Sequence, residues 1–218
     1  PTEWATTQNN LGNVYIDRVA GERAENLERA AEHYRRALEV FTQQAFPEQW
    51  AMVQNNLANA YFRRVEGERA ENLEHAIDHC REALDVYTRQ AYPADWAMTQ
   101  NNLGNTLHLM AAVSGDPKFY REAVEAFELA LREYRRDRTP MQWALATASM
   151  GNALQYLSNS EEDTKSLHAS VSARRAALEI LTADNAPAEW ATAQNGLGLS
   201  LLNLSTREQN PAFLPEAR

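Results

Sequence analysis

The sequence predicts an all-α fold, a right-handed superhelical solenoid of antiparallel helix pairs with about four and a half repeats. Three observations lead to this prediction. Tryptophan recurs every 46 or 47 residues, and a proline stands three residues before each tryptophan. Between the tryptophans, apolar residues follow the spacing of amphipathic helices. A period of this size is typical of stacked repeats. The tryptophans are Trp4, Trp50, Trp96, Trp143 and Trp190.

Each repeat is predicted to contain a first helix, helix A, and a second, helix B. We expect a single array over 1–218, with repeats at 1–46, 47–92, 93–139, 140–186 and a truncated fifth at 187–218. The prolines suit the first turn of helix A, where the backbone N–H needs no partner. Helix A should end near a glycine, because glycine readily adopts the left-handed conformation that ends many helices. These glycines are Gly21, Gly67 and Gly115, and the polar segment 159–163 is the fourth break.

Helix B is expected to begin soon after each break. Its predicted bounds are Ala24 to about Gln44, Ala70 to about Gln90, and Pro117 to about Arg136. A stripe of small and aromatic residues recurs on it, formed by Ala30, Tyr34 and Ala37, by Ala76, Cys80 and Ala83, and by Ala123, Phe127 and Ala130. This spacing places the stripe against helix A. We expect the tryptophans to lie on the buried face of helix A. In repeat four, Arg174 stands where an aromatic residue is expected.

The repeat resembles the tetratricopeptide repeat (TPR) superfamily. The residues that carry the resemblance are Leu11, Gly12, Tyr15, Ala30, Tyr34, Ala37 and Pro47, and they recur in repeats two and three. The period is longer than the usual TPR length of about 34 residues. In this length and in the sequence Asn-Asn-Leu, the repeats are similar to kinesin-light-chain-type repeats and to bacterial signalling-associated TPR arrays. The resemblance implies a protein-binding scaffold in which helix A lines a concave groove.

Asparagines recur on the face of helix A opposite the buried stripe. Five positions after tryptophan stand Asn9, Asn55, Asn101 and Asn195, and nine positions after it stand Asn13, Asn59, Asn105 and Asn152. Asparagine is a mediocre helix former, so its repetition needs a cause. The resemblance implies that these amides, each with a donor and an acceptor, bind the main chain of a peptide. The alternative is that they bond neighbouring helices or face water. We expect Asn10, Asn56 and Asn102, at the groove edge, to bond between repeats.

Apolar side chains are expected to point toward the same face. They are Met52, Phe62, Met98 and His108, together with Ile16. An apolar strip beside amides suits a peptide or a helix as ligand, and methionine adapts to its shape. The alternative is that the next repeat covers some of these residues. The groove lacks the paired lysines that bind a C-terminal carboxylate in the family, so we do not expect that mode of recognition.

Composition and motifs exclude several function classes. The formal net charge of −9 argues against a nucleic-acid or anionic-membrane surface. Catalytic and nucleotide-binding motifs are absent from the sequence, so we expect no enzyme and no cofactor. His75 and His79 have the spacing of two metal ligands, but we expect both to point outward and no third ligand is evident, so we expect no metal. The single cysteine, Cys80, is expected to be a small buried residue and fits a reducing, cytoplasmic setting.

The sequence therefore predicts a protein–protein interaction module. It should bind a peptide or a partner helix in the groove and should belong to a larger multidomain protein. The alternative is a structural or oligomerisation scaffold with no dedicated peptide ligand. The chain stops soon after the fifth helix A, so we expect Leu197 and Leu201 to lack most of their packing partner. This predicts a frayed C-terminal end or self-association through the truncated repeat.

Overall fold

A computed structural model describes residues 1–213, and this part of the chain contains no β-strand. It forms nine α-helices and one short 3-10 helix. The helices are α1 (Thr2–Asp17), α2 (Arg23–Leu38), α3 (Pro47–Arg63), α4 (Arg69–Val86), α5 (Pro93–Ser114), α6 (Lys118–Ala130), α7 (Pro140–Glu161), α8 (Thr164–Leu178) and α9 (Pro187–Arg207), and the 3-10 helix is Pro211–Phe213.

The chain folds into two compact units. The first, Pro1–Ser114, contains α1 to α5, and the second begins at Gly115 and contains α6 to α9. Consecutive helices pack against each other within each unit. In the first pair, Gln8 contacts His33 and Tyr15 contacts Arg29, so α1 and α2 run antiparallel. The predicted all-α class built from helix pairs is confirmed, and the predicted single array stays a prediction.

The helical stripe that joins the two helices of a repeat is confirmed. Its nine members on α2, α4 and α6 are 0 or 1% exposed. In the first repeat the contact is so close that a Cβ atom added to Gly12 would lie 2.4 Å from the ring atom Cε1 of Tyr34. Glycine is therefore required on α1 where the tyrosine ring packs.

Two of the helices A end earlier than predicted, so that their glycines lie in the connecting loops. α1 ends at Asp17 and α3 at Arg63, each four residues before its glycine. Gly21 and Gly67 lie in the connecting loops with φ of +84° and +80°, a conformation that costs glycine little. Gly115 alone of the three predicted glycines directly follows its helix.

Asparagines of helix B hold these loops in place. Asn26 on α2 donates through Nδ2 to the carbonyl oxygen of Ala20, at 3.0 Å, and Asn72 on α4 donates to that of Glu66, at 2.8 Å. Both asparagines are buried. Each side-chain amide therefore joins the connecting loop to the first turn of helix B.

Helix B is shorter than predicted. α2 ends at Leu38 rather than near Gln44, α4 at Val86 rather than near Gln90, and α6 at Ala130 rather than near Arg136. After α2 and α4 a threonine hydroxyl accepts a hydrogen bond from the backbone three residues later, from Ala45 N to Thr42 Oγ1 and from Ala91 N to Thr88 Oγ1. Threonine offers this alternative to the helical ladder, so the chain turns while Phe41 and Tyr87 remain buried.

The tryptophans occupy the buried face only in part. Trp96 is 9% exposed, whereas Trp4 is 44% exposed. The guanidinium of Arg89, in the turn before α5, lies 5.9 Å from the ring centre of Trp96, and Arg136 lies 5.6 Å from that of Trp143. Trp50, Trp143 and Trp190 are half-buried. The expectation that every tryptophan is buried fails most clearly at Trp4, because α1 packs only on α2 and α3.

The expectation that the last helix A lacks its partner is also wrong. Leu197 and Leu201 are 7% and 0% exposed. They pack in one cluster with Leu167 and Val171 of α8, and Phe213 covers part of that cluster. The predicted fifth helix B continues into residues 214–218, which lie outside the described part of the chain.

Candidate functional site

The candidate site is the row of asparagines nine positions after tryptophan. In the first unit these are Asn13 on α1, Asn59 on α3 and Asn105 on α5, and we call the surface they mark the asparagine face. Asn13 is exposed, and Asn59 and Asn105 are half-buried. In the second unit Asn152 on α7 has the same position in its repeat and is half-buried.

The asparagines five positions after tryptophan connect neighbouring repeats. Nδ2 of Asn56 donates to Oδ1 of Asn9 at 3.0 Å, and Nδ2 of Asn102 donates to Oδ1 of Asn55 at 3.1 Å. This confirms the role expected for Asn56 and Asn102, whereas Asn10, on the first helix A, is exposed and forms no such bond in the described chain. Asn9 and Asn55 are only 3% and 5% exposed, so their amides have little surface left for a ligand.

Two asparagines of this position differ from that pattern. Asn101 on α5 is half-buried, and Asn195 on α9 is exposed. Part of each side-chain amide is therefore accessible to a ligand. The buried pair Asn9 and Asn55 therefore acts between repeats, whereas Asn101 and Asn195 remain candidate ligand contacts.

Tyr34 fixes the orientation of the first amide of the asparagine face. Its hydroxyl donates to Oδ1 of Asn13 at 2.7 Å. Because Oδ1 of Asn13 already accepts this hydrogen bond, the NH2 group of Asn13 is the part of the amide left for a ligand. Burial raises the pKa of the Tyr34 hydroxyl, which keeps it a donor at neutral pH.

The equivalent position in repeat four, on α8, holds a buried arginine. Arg174 is 1% exposed, and its Nη2 donates to Oδ1 of Asn152 at 2.8 Å. Its Nη1 donates to the hydroxyls of Ser170 and Ser200. Within residues 1–213 it forms no ion pair with a carboxylate. Burial lowers the pKa of Arg174 to about 10, so the guanidinium stays charged at neutral pH.

A glycine of α9 makes room for this arginine. A Cβ atom added to Gly196 would lie 2.5 Å from Nε of Arg174. Gly196 stands six positions after Trp190, where the first three repeats have asparagine. At this one position of repeat five, glycine therefore leaves space for the Arg174 guanidinium that an asparagine side chain would occupy.

A cavity opens on the asparagine face between α3 and α5. Its volume is about 110 Å³. Two amides of the row line it, those of Asn59 and Asn105, and neither forms a hydrogen bond with any residue of the described chain. The full lining is Ala58, Asn59, Phe62, Arg63, Cys80, Asn102, Asn105 and Thr106. The structure thus brings Asn59, Asn105 and Phe62 together among the predicted site residues.

The remaining apolar candidates lie outside this lining. Met52 and Met98 are 36% and 39% exposed, and His108 is half-buried. Ile16 is 5% exposed and belongs to the core of the first unit, where it packs under the helices rather than facing a ligand. The two methionines remain available as contacts on the surface of α3 and α5.

The sequence prediction missed a pair of buried contacts between the helices. Gln8 and Gln54, four positions after tryptophan, accept hydrogen bonds at Oε1 from the Nδ1 atoms of His33 and His79, at 2.7 and 2.8 Å. The His79 ring also stacks on Tyr61. The prediction that His79 points outward is therefore wrong, and the signal was the repetition of glutamine and histidine at the same two positions.

The geometry supports neither a reactive thiol at Cys80 nor a metal site. Cys80 is 0% exposed, and burial raises the pKa of its thiol to about 12, so the thiolate is not formed at neutral pH. No group of three metal-ligating side chains occurs among the residues that the structure describes. In the same part of the chain, no helix has the length and apolar character needed to cross a membrane.

Comparisons with known proteins agree with this helical architecture. Residues 2–177 match the family described as "Soluble NSF attachment protein, SNAP". The chain belongs to the SNAP family. Comparison with curated proteins gave no significant match. The family has a TPR-like helical repeat fold, which supports the predicted superfamily. The kinesin-light-chain-type variant and the bacterial signalling context stay predictions.

A solved structure shows the same fold. BtubC (BKLC) from P. vanneervenii is similar to this chain with a TM-score of 0.58 and 16% sequence identity. The similarity covers 99% of this chain and 88% of that chain. At this identity the likeness concerns the fold alone. SNAP-type and TPR-like repeats are adaptor or scaffold folds, so the class of function is protein interaction.

Proposed function

We propose that the chain binds a peptide or a partner helix along the asparagine face, and that Asn59 and Asn105 bind the ligand main chain. The observation that carries the proposal is the cavity lined by both amides. Each amide is half-buried and lacks a hydrogen-bond partner in the described chain. A half-buried polar group without a partner gains more from a ligand hydrogen bond than a fully hydrated one. A peptide main chain offers both the donor and the acceptor that these amides need.

Neighbouring contacts extend the proposed surface in both directions. Asn13 offers its NH2 group, because Tyr34 engages its oxygen. Met52 and Met98 add exposed apolar area on α3 and α5. Asn101 is a further amide on α5 that is open in part. In the second unit we propose Asn152 and Asn195 as separate contacts, and His108 as a contact on α5.

The test compares two double variants of the purified chain in a peptide-library screen. Asn59→Ala combined with Asn105→Ala removes the two unpaired amides. Gln44→Ala combined with Gln90→Ala removes two exposed amides in the turns after α2 and α4 and serves as control. We expect the first variant to bind the selected peptides at least about tenfold more weakly and the control to bind like the parent. Equal binding by both variants, with the helical circular dichroism unchanged, would contradict the proposal.

One partner can be proposed from the family. The family name describes attachment to NSF, and the match covers most of the chain. We therefore propose NSF as a first protein to test by biolayer interferometry. Saturable binding that the Asn59→Ala and Asn105→Ala pair weakens would support NSF as the ligand of the asparagine face. If the double variant binds NSF as tightly as the parent chain does, NSF binds to another surface.

A scaffold that self-associates is the second candidate. Helix α9 carries two exposed leucines, Leu199 at 46% and Leu202 at 47%. Adjacent exposed apolar side chains favour contact with another protein surface. Light scattering over a concentration series measures this directly. A mass that rises with concentration in the parent and not in Leu199→Ser plus Leu202→Ser would favour the scaffold, and a constant monomer mass would exclude this contact.

A further inference from the structure

The cavity on the asparagine face exists where the repeat has exchanged a large buried side chain for a small one. Tyr34 in the first repeat and Cys80 in the second occupy the same position of helix B, and both are buried. The tyrosine ring reaches Asn13, to which its hydroxyl donates. Cysteine is too short to extend as far, and Cys80 lines the cavity together with Asn59, the equivalent of Asn13.

The residue of helix A that faces this position is larger in the second repeat, where alanine replaces glycine. Gly12 lies directly under the Tyr34 ring, where a Cβ atom would collide. The second repeat has Ala58 at that position, and Ala58 lines the cavity with Cys80. An alanine is compatible with the small thiol and incompatible with a ring packed as Tyr34 is. The two exchanges together leave open space between α3, α4 and α5.

The size of this space indicates what fills it. Since a water molecule occupies roughly 30 Å³ of liquid, a cavity of about 110 Å³ has room for about four non-hydrogen atoms. A branched aliphatic group such as isobutyl has four carbons. The walls contributed by Ala58, Phe62 and Cys80 are apolar. The Cys80 thiol is uncharged at neutral pH and contributes only an apolar part of the wall.

The positive charge of Arg63 at the edge of the cavity indicates which ligand group lies beside the aliphatic one. Arg63 lines the cavity and is exposed. Its guanidinium forms no hydrogen bond or ion pair with any residue of the described chain, although Asp17 lines a neighbouring depression with it. A carboxylate on the ligand would complement this charge.

We propose that this cavity is a specificity subsite for a partner segment that places a leucine-sized aliphatic side chain between Asn59 and Asn105, with a carboxylate next to it at Arg63. The proposal rests on the proposed peptide-binding function and adds the class of side chain that the partner must present. Cys80 and Ala58 determine this specificity through their small size.

A small molecule with the same two groups tests the subsite directly. The probe is 4-methylpentanoate, which joins an isobutyl group to a carboxylate, and its uncharged amide is the matched probe. Binding is followed by the carbon-13 methyl signal of Thr106, which lines the cavity. We expect a saturable shift with the parent chain and with Cys80→Ala, which keeps the cavity open. For the amide probe, and for Arg63→Gln with the acid, we expect binding about threefold weaker or more.

The decisive variant fills the cavity. Ala58→Gly combined with Cys80→Tyr restores the pairing seen at Gly12 and Tyr34, so we expect a folded chain that binds the probe at least about tenfold more weakly. Cys80→Met is the second variant, because methionine fills irregular space without needing glycine opposite. Undiminished binding by a folded filled variant overturns the proposal. So does the absence of a saturable shift in the parent.

The peptides selected in the library screen separate this proposal from the proposed function. If the asparagine double variant weakens their binding and the filled variant does not, the subsite is wrong and the peptide-binding function stands. If both variants weaken binding, the subsite is supported. If neither does, the asparagine face is not the binding surface and both proposals fail.

Discussion

Single side chains set the chemistry beneath the asparagine face, and the position held by Tyr34, Cys80 and Arg174 shows this most clearly. Each is fully buried at the same place in its repeat. Tyr34 donates a hydrogen bond to Asn13, Arg174 donates one to Asn152, and Cys80 leaves Asn59 unpaired. One repeat position therefore decides whether the amide above it is held in place or left open for a ligand.

The buried guanidinium of Arg174 is expected to contribute little to stability. Its charge has no carboxylate partner in the described chain, and an incompletely compensated buried charge loses more hydration energy than it regains. We predict that Arg174→Met changes the free energy of unfolding by less than about 1 kcal/mol or increases it. Urea unfolding measures this, with Arg175→Met, exposed on the same helix, as control. A loss above about 3 kcal/mol would show that the guanidinium network stabilises the fold.

His79 is expected to make stability depend on pH. Burial lowers its pKa, against a smaller opposing effect of Glu82. The unfolded chain, with a pKa near 6.5, therefore takes up this proton before the folded chain does. Stability should be complete above about pH 6.5 and should fall as the pH decreases below it. We predict that the fall in Tm between pH 7 and pH 5.5 is smaller in His79→Gln.

The matched control for this pH effect is His75→Gln, since His75 is exposed on the same helix. We expect the control to keep most of the pH dependence of the parent, because burial is the main cause of the lowered pKa of His79 and the charge of His75 is a smaller one. Identical Tm profiles for the parent and His79→Gln would show that the buried imidazole is not responsible.

At the scale of helices, the ends differ in how they are held. α8 begins at the N-cap residue Asp163, whose carboxylate accepts from the backbone N–H groups of Lys165 at 2.8 Å and Ser166 at 2.7 Å. The hydrogen bond to Ser166 lowers the pKa of Asp163, so the carboxylate is charged at neutral pH. α7 ends just before, with Glu162 in the left-handed conformation. The cap therefore fixes a turn that contains no glycine.

Removal of this cap should weaken the second unit. We predict that Asp163→Ala lowers the free energy of unfolding by about 1 kcal/mol, the usual cost of losing an N-cap side chain. Denaturant unfolding measures the change. Asp184→Ala, at an exposed position in the turn before α9, should change it by less than about 0.5 kcal/mol. Equal effects of the two substitutions would show that the cap has no special role.

The sequence predicted the helices well where periodicity was enough. The stripe around Ala30, Tyr34 and Ala37 could be read because packing of two helices requires small residues at fixed spacing. The ends of helix B could not be read in the same way, because Phe41 continues the apolar pattern beyond Leu38. A local hydrogen bond to Thr42 ends the helix there, and periodicity carries no information about it.

The sequence predicted where the asparagines of the candidate site lie, but only partly which of them are open to a ligand. Repetition of asparagine located Asn13, Asn59 and Asn105 on one face. Whether an amide is open depends on partners that are distant in sequence, such as Tyr34 for Asn13. Asn9 looked like a ligand contact, yet Asn56 of the next repeat bonds it and buries it. Only three-dimensional packing distinguishes these cases.

At the scale of the whole molecule, stability arises within repeats and at the contacts between them. In the first unit, the hydrogen bonds from Asn56 to Asn9 and from Asn102 to Asn55 join successive helices A. The second unit has Ala148 and Gly196 at the two corresponding positions, so this bond cannot form there. The two units therefore connect their repeats by different chemistry.

Loss of one such bond should weaken the contact between repeats. We predict that Asn55→Ala lowers the free energy of unfolding by about 1 to 2 kcal/mol, because the amide of Asn102 loses its partner in a partly buried place. Asn101→Ala is the control on the neighbouring helix, since Asn101 has no bonded partner in the described chain. It should cost less than about 0.5 kcal/mol. A similar loss in both variants would show that helix propensity, not the bond, is the cause.

The close approach of Gly12 to the Tyr34 ring also limits the order in which such repeats can change during evolution. A ring can be accepted at this position only after glycine is present opposite, because any Cβ atom there collides with it. In the reverse direction, the ring must be lost before alanine can return. Gly196, on the helix A of the next repeat, lies close to the guanidinium of Arg174. The residues at the positions of Gly12 and Tyr34 must therefore change in a fixed order, and a new pocket can arise only by first replacing the large partner.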